Sequence, residues 1–181
     1  MNLLLYFPEE TRREMLIRAG ERLAIEGILI AGTNGLGIQR RYAVYRKTDG
    51  RLHPDEFAFS ADNLGPVSFM AWFAIHDDDP EAFLLADLCA AIRKDREFWL
   101  KFAERMDVLM EVLFTCPRDS DGFLRFPAEE RSLALFLGLN ARMWKSIEKE
   151  GYVDGAVVAL RRAGYDAWKN PVGDVAIRPH E

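Results

Sequence analysis

Met1-Asn2-Leu3-Leu4-Leu5-Tyr6-Phe7-Pro8 opens the chain, and its reading decides the fold. Leu3 to Phe7 is an unbroken apolar run, the pattern of a strand covered on both faces of a parallel sheet. Pro8 falls where a first helical residue tolerates proline, because an N–H there has no intrahelical partner anyway. Glu9 and Glu10 follow, where negative charge complements the helix dipole. Met15, Leu16, Ala19 and Leu23 recur at helical spacing, with Arg12, Arg13, Arg18 and Glu21 on the other side. A helix is therefore expected to about Ala24, with Gly27 turning the chain after it. Ile28–Ala31 reads as a second buried strand, and Gly32-Thr33-Asn34-Gly35-Leu36-Gly37 as a loop at its carboxyl end. Arg41–Lys47 is a third strand, with Tyr42, Val44 and Arg46 on one face and Ala43 and Tyr45 on the other. Strand, helix, strand at this spacing predicts a right-handed βαβ unit. Its ligand crevice would lie at the carboxyl edge of the strands, beside Phe7, Pro8 and residues 32–37.

Three stretches, Asn2–Arg12, Gly27–Gly32 and Tyr42–Lys47, resemble the C-terminal part of the chemotaxis-receptor glutamate methyltransferases, which are class I S-adenosylmethionine enzymes. The resemblance lies within residues 1–47 of 181. It implies that Asn2 lies by the cofactor and that Tyr6 stands near the same crevice. The family's Asn follows an Arg, and here Met1 precedes Asn2. Where the family's fifth strand commonly ends in Gly-His-Ser-Glu, this chain has Gly32-Thr33-Asn34-Gly35, so only the glycine is shared. The glycine-rich cofactor turn of such enzymes does not precede Asn2. The 32–37 loop is followed by a strand rather than the helix a phosphate-binding loop needs, and it reads as a surface turn.

The implied fold is α/β plus α: a partial, C-terminal Rossmann-like methyltransferase sheet followed by a helical bundle domain. The implied function is the C-terminal portion of an S-adenosylmethionine-dependent methyltransferase-like protein. Such a portion lacks a complete cofactor site by itself and binds S-adenosylmethionine only if a missing N-terminal half completes it. With the family's first strand absent, residues 1–7 would be an exposed apolar sheet edge, which invites a protein partner or a homodimer. The alternative is a non-enzymatic helical interaction module that dimerises or pairs through that N-terminal strand.

Charge supports a boundary near residue 48. Residues 1–47 carry eight Lys/Arg against five Asp/Glu, whereas the net charge of the whole chain is −5. The acidic remainder argues against nucleic-acid binding, which depends on phosphate neutralisation. No stretch approaches the ~20 apolar residues of a membrane span. The opening apolar run is too short for a secretory signal, so a cytoplasmic chain is expected. Cys89 and Cys116 sit in or near apolar helical runs without a CxxC motif, and read as buried free thiols.

Thr48-Asp49-Gly50-Arg51 is turn chemistry, and residues 48–66 read as a linker. Residues 67–181 read as the helical domain. Its expected segments are Val67–Ile75, Glu81–Ile92, Arg96 to about Thr115 capped by Asp95, Ala128 to about Glu150, and Asp154–Ala163. An irregular tail follows from Tyr165, with a short strand at Val175–Ile177. The acidic cluster His76-Asp77-Asp78-Asp79 and Glu81 suits a hard cation or, equally, a helix cap ahead of Pro80. The Asp119–Gly122 loop fails as a calcium loop, because Pro117 and Ala128 would occupy positions that need a carboxylate. No metal ligand set, catalytic residue or nucleophilic triad is assigned. His53, His76 and His180 are scattered, and Trp72, Trp99 and Trp144 read as core.

Overall fold

A computed structural model describes residues 7–34, 39–65, 79–113 and 130–179. Helix α1 (Glu9–Arg22) leads into strands β1 (Ile28–Asn34), β2 (Arg40–Thr48) and β3 (Arg51–Phe59). A 3-10 turn (Ala61–Leu64) follows, then helices α2 (Pro80–Lys94), α3 (Arg96–Leu113), α4 (Glu130–Lys149) and α5 (Tyr152–Arg162). Two short strands, β4 (Ala167–Lys169) and β5 (Val175–Ile177), complete the described elements. The strand expected at Leu3–Phe7, the helix at Val67–Ile75 and the Asp119–Gly122 loop lie largely or wholly outside the described residues.

The α/β expectation holds, but the described strands do not form a Rossmann-like parallel sheet. They make one five-stranded sheet in the order β1-β2-β3-β5-β4, and every pairing is antiparallel. The connections explain this. A parallel pair needs a crossover of about a dozen residues or more, whereas a two-residue loop reverses the chain. Asp49 (φ 52°) and Gly50 (φ 80°) form such a loop, and Thr48 pairs with Arg51 across it. Asp-Gly suits the two positive φ angles that match the twist of a hairpin.

The expected linker, residues 48–66, is thus largely strand and 3-10 turn. Pro54 argues against a strand in sequence, but it falls opposite Tyr45 beside the Val44/Tyr45 register shift, and a bulge is where a strand tolerates proline. The expected irregular tail contributes β5 as anticipated, and β4 with it.

Helices α2 to α5 do not keep a core apart from the sheet. One face of the sheet carries Ala43, Phe57, Phe59, Val175 and Ile177, and these share a buried cluster with Leu88, Ile92, Phe102, Ile147, Val153 and Leu160 of the helices. Phe98 and Phe102 of α3 stack at 5.7 Å between centroids, and Tyr152 of α5 meets Phe102 edge-on at 5.6 Å. The helix signals were sound. Asp79 accepts from Ala82 N (3.0 Å) ahead of Pro80, and Asp95 accepts from Phe98 N (3.1 Å) ahead of α3.

Helix α1 lies against the same sheet. Gly20 packs on Leu52 of β3. Lys47 of β2, almost fully buried, donates to the carbonyls of Leu23 (2.7 Å) and Glu21 (3.3 Å). A cation at a helix C-terminus offsets the negative end of the dipole and occupies carbonyls that lack intrahelical partners.

Gly32 of β1 is required by close approach. A Cβ there would stand 2.7 Å from Tyr42 Cα and would also collide with the Arg41 carbonyl. Gly32→Ala is expected to lower stability by about 1–3 kcal/mol, as overpacking against backbone does. Urea unfolding measures it, and an unchanged midpoint would mean that β1 and β2 do not meet this tightly.

Candidate functional site

A cavity of about 110 Å³ opens between the first turns of α1, the end of β1, the start of β2 and the N-terminus of α2. Glu9, Arg12 and Arg13 approach from α1, Gly32 and Thr33 from β1, Arg41 and Tyr45 from β2, and Asp79 and Glu81 from α2 and its cap. Strand alternation builds its floor. Arg41, Ala43 and Tyr45 share a face by the period of two, and the register sets Arg41 opposite Thr33.

Arg41 is 1% exposed and Asp79 2% exposed. Arg41 Nη2 donates to Asp79 Oδ2, and Arg41 Nε donates to Thr33 Oγ1 at 3.2 Å. Arg12 Nη1 reaches Asp79 Oδ1 at 3.2 Å. Burial alone would raise the Asp79 pKa, but Arg41, the Ala82 N–H and Arg12 together hold it below the ordinary carboxylate range. Glu81 behaves oppositely. Its carboxyl is pushed up by burial, and among the described residues its polar contact is Tyr45 Oη at 3.5 Å. The Tyr45 phenol is pushed up to about 12 by burial and by the Glu81 charge. Arg41 Nη1 is buried without a hydrogen-bond partner. Among the described residues the lining carries charged groups, a phenol and a threonine hydroxyl.

A second polar cluster lies on the opposite face of β2. Arg40 makes two 2.8 Å bonds to Asp174, which is fully buried. Asn170 Nδ2 is 2.7 Å from Tyr42 Oη and 2.9 Å from Glu56 Oε1, and Asn170 Oδ1 accepts from Asp174 N at 3.0 Å. Nearby, Asp62 of the 3-10 turn is 1% exposed. Its Oδ1 accepts from Ser60 Oγ, and its Oδ2 has no partner. Burial lifts the Asp62 pKa to about 7, against the opposing pull of the Ser60 hydroxyl and Arg40.

Asn2 and Tyr6, the expected cofactor-proximal residues, lie outside the described residues. The acidic cluster resolves at Asp79 into a helix cap and ion-pair partner, while residues 76–78 lie outside the described residues. Among the described residues no group of three or more His, Cys, Asp or Glu converges as a metal site. Cys89 is a buried free thiol, pushed up to about 11 by burial. Sequence reading missed the pairing of Arg12, Arg41 and Asp79. Arg12 was placed on the polar face of α1. The parity of β2 did carry a signal, because it sets Arg41 on the face of Ala43 and Tyr45 that the helices cover.

Comparison with known proteins finds no matching family model, no matching curated protein and no matching solved structure.

Two outcomes test this description. Asp79→Ala removes a helix cap and leaves Arg41 buried without its counter-charge, so a loss of about 3–5 kcal/mol is expected in denaturant unfolding. A loss under about 1 kcal/mol would place the pair in solvent. For Asp62, the folded carboxyl keeps its proton to about pH 7 while the unfolded one loses it near 3.8. Between those values the unfolded chain binds fewer protons, so this group's contribution to stability falls as pH rises. The advantage of Asp62→Asn over wild type in melting temperature should therefore grow across that window and level off above it. A difference independent of pH would contradict the assignment.

Proposed function

We propose that this chain is the C-terminal portion of an S-adenosylmethionine-dependent methyltransferase-like protein and holds no complete cofactor site by itself. The observation that supports this reading is the place of the cavity. It lies at the first turn of α1, directly after Phe7 and Pro8, and at Gly32 and Thr33 near the carboxyl end of β1. That is the edge where the resemblance sets the ligand crevice, adjoining the sequence that carries Asn2 and Tyr6. Its volume, about 110 Å³, is below the roughly 300–1,000 Å³ of pockets that enclose a ligand of drug size. The described residues therefore do not fit S-adenosylmethionine as a whole, and no step of methyl transfer is derived from them. What they supply is one charged wall.

A second reading, an interaction module that pairs through its N-terminal edge, is favoured by β1. Among the described residues this strand is paired on one side only, with β2. Ile28 and Ile30 on it are 50% and 65% exposed, and Ile25 just before it is 62% exposed. Apolar residues on an edge strand suit a second chain, either a protein partner or another copy.

Calorimetric titration of the chain with S-adenosylhomocysteine separates the two. The first reading expects weak binding, roughly millimolar, weakened further by Asn2→Ala or Tyr6→Ala. Micromolar affinity would overturn the claim of an incomplete site. No heat up to about 10 mM ligand, together with a dimer by light scattering that Ile30→Asp dissociates, would replace the first reading with the second.

A further inference from the structure

We propose that Asp62 is a proton-controlled latch on the C-terminal strands: protonated, it lets β5 stay closed on β3, and ionised, it loosens β5 and β4 together. The inference is separate from the methyl-transfer reading and starts from the place of Asp62 in the ladder. β5 pairs with the end of β3, Phe57 with Ile177, Ala58 with Ala176 and Phe59 with Val175. Continuing that register sets Ser60 opposite Asp174, and Asp62 follows two residues later. In the sheet order β4 lies beyond β5, at the edge. The end of β3 that Asp62 closes is therefore the end from which both C-terminal strands hang.

Little at this position balances a charge. The Asp62 side chain is almost fully buried; Oδ1 accepts from Ser60 Oγ, a neutral donor, and Oδ2 has no partner. An ionised carboxylate out of water needs its acceptor sites filled or a cation bound. Arg40 attracts the charge, but its Nε and Nη2 are bound to Asp174 at 2.8 Å each. Asp174 is itself fully buried, and its charge opposes a second one at Asp62. Tyr42 and Glu56 lie one step further, joined to the Asp174 backbone through Asn170. From α2, Cys89 Sγ meets the Asn63 carbonyl at 3.6 Å, and burial keeps it a neutral thiol. From α4 and α5, Trp144, Ile147, Val153 and Leu160 share a buried cluster with Ala61 and Leu64 of the turn, and these side chains supply no charge. Burial prevails, and the carboxyl keeps its proton to about pH 7.

The same few residues carry the attachment of the strands. Ser60 Oγ accepts from Arg40 N at 2.9 Å, and Asn63 Nδ2 donates to the Arg40 carbonyl at 3.2 Å. The turn thus grips the residue whose guanidinium holds Asp174. Loss of the Asp62 proton adds a second carboxylate charge beside this pair and brings no cation with it. Swinging β5 off β3 opens that end to water, where the charge is solvated. The closed form releases the proton near pH 7 and the hydrated group near 3.8. Between those values the open form binds fewer protons, so opening grows with pH, by up to about tenfold per unit, and levels off above 7.

Native-state hydrogen exchange of the full chain from pH 5 to 8, corrected for the intrinsic pH dependence of amide exchange, tests the latch. Protection of Ala167–Lys169 and Val175–Ile177 should fall by more than about tenfold from pH 5 to 7 and then level off, while protection of α5 changes less. Asp62→Asn, neutral at every pH, should keep the strands protected throughout. Ser60→Ala decides the matter should Asp62→Asn fail to fold. With its hydroxyl donor gone the carboxyl holds its proton longer, so the levelling should move to higher pH. Strand protection independent of pH, a fall equal to that of α5, a fall retained in folded Asp62→Asn, or a levelling unmoved in Ser60→Ala would overturn the proposal.

Discussion

The buried pair between Arg41 and Asp79 is the constraint on which the arrangement of the described elements turns. It joins β2 to the cap of α2, and through Arg12 and Thr33 it also engages α1 and β1. Taking two such charges out of water costs several kcal/mol each, and their attraction offsets this only when geometry and further hydrogen bonds are good. Asp79 meets that condition with two guanidiniums and the Ala82 N–H. Four elements are thereby held at one point, and the cavity is the space they leave between them.

Arg40 and Arg41 are adjacent in sequence and act on opposite sides of the sheet. Successive side chains of a strand point to opposite faces. Arg41 reaches Asp79 on the face covered by helices, and Arg40 reaches Asp174, just before β5, on the other. Each arginine clamps a segment far along the chain, 38 residues on for Arg41 and 134 for Arg40. A dipeptide that reads as the polar start of a strand is the fastening between the sheet, the helical layer and the C-terminal strands. The Asn170 bridge to Tyr42 and Glu56 strengthens the second clamp.

Two buried polar atoms near these clamps are left without partners, Arg41 Nη1 and Asp62 Oδ2. Most buried polar atoms here are paired, as folded proteins require. Arg41 Nη1 is an exception, buried without an acceptor on a side chain that lines the cavity. Asp62 Oδ2 is the other unpaired atom with a clear physical consequence, a carboxyl that keeps its proton near neutrality because burial outweighs its partners.

Local chemistry in the sequence determined the helices and their ends. Pro8 and the two glutamates start α1, Asp79 with Pro80 starts α2, and Asp95 starts α3. The faces of β2 and the strand at Val175–Ile177 were legible for the same reason, since a period of two and a short apolar run depend only on near neighbours. Tertiary structure decided what those elements pair with. Pro54 hid β3 because the register shift beside it is what makes proline acceptable there, and Asp49-Gly50 read as a turn without revealing that two strands meet across it. The antiparallel sheet follows from that hairpin rather than from strand composition. Beyond the parity that sets Arg41 on the covered face of β2, nothing along the chain marks out the Arg12, Arg41 and Asp79 cluster. An ion pair between positions 38 residues apart arises only when the sheet and α2 are packed together, and nothing in the spacing of charges along the chain announces it.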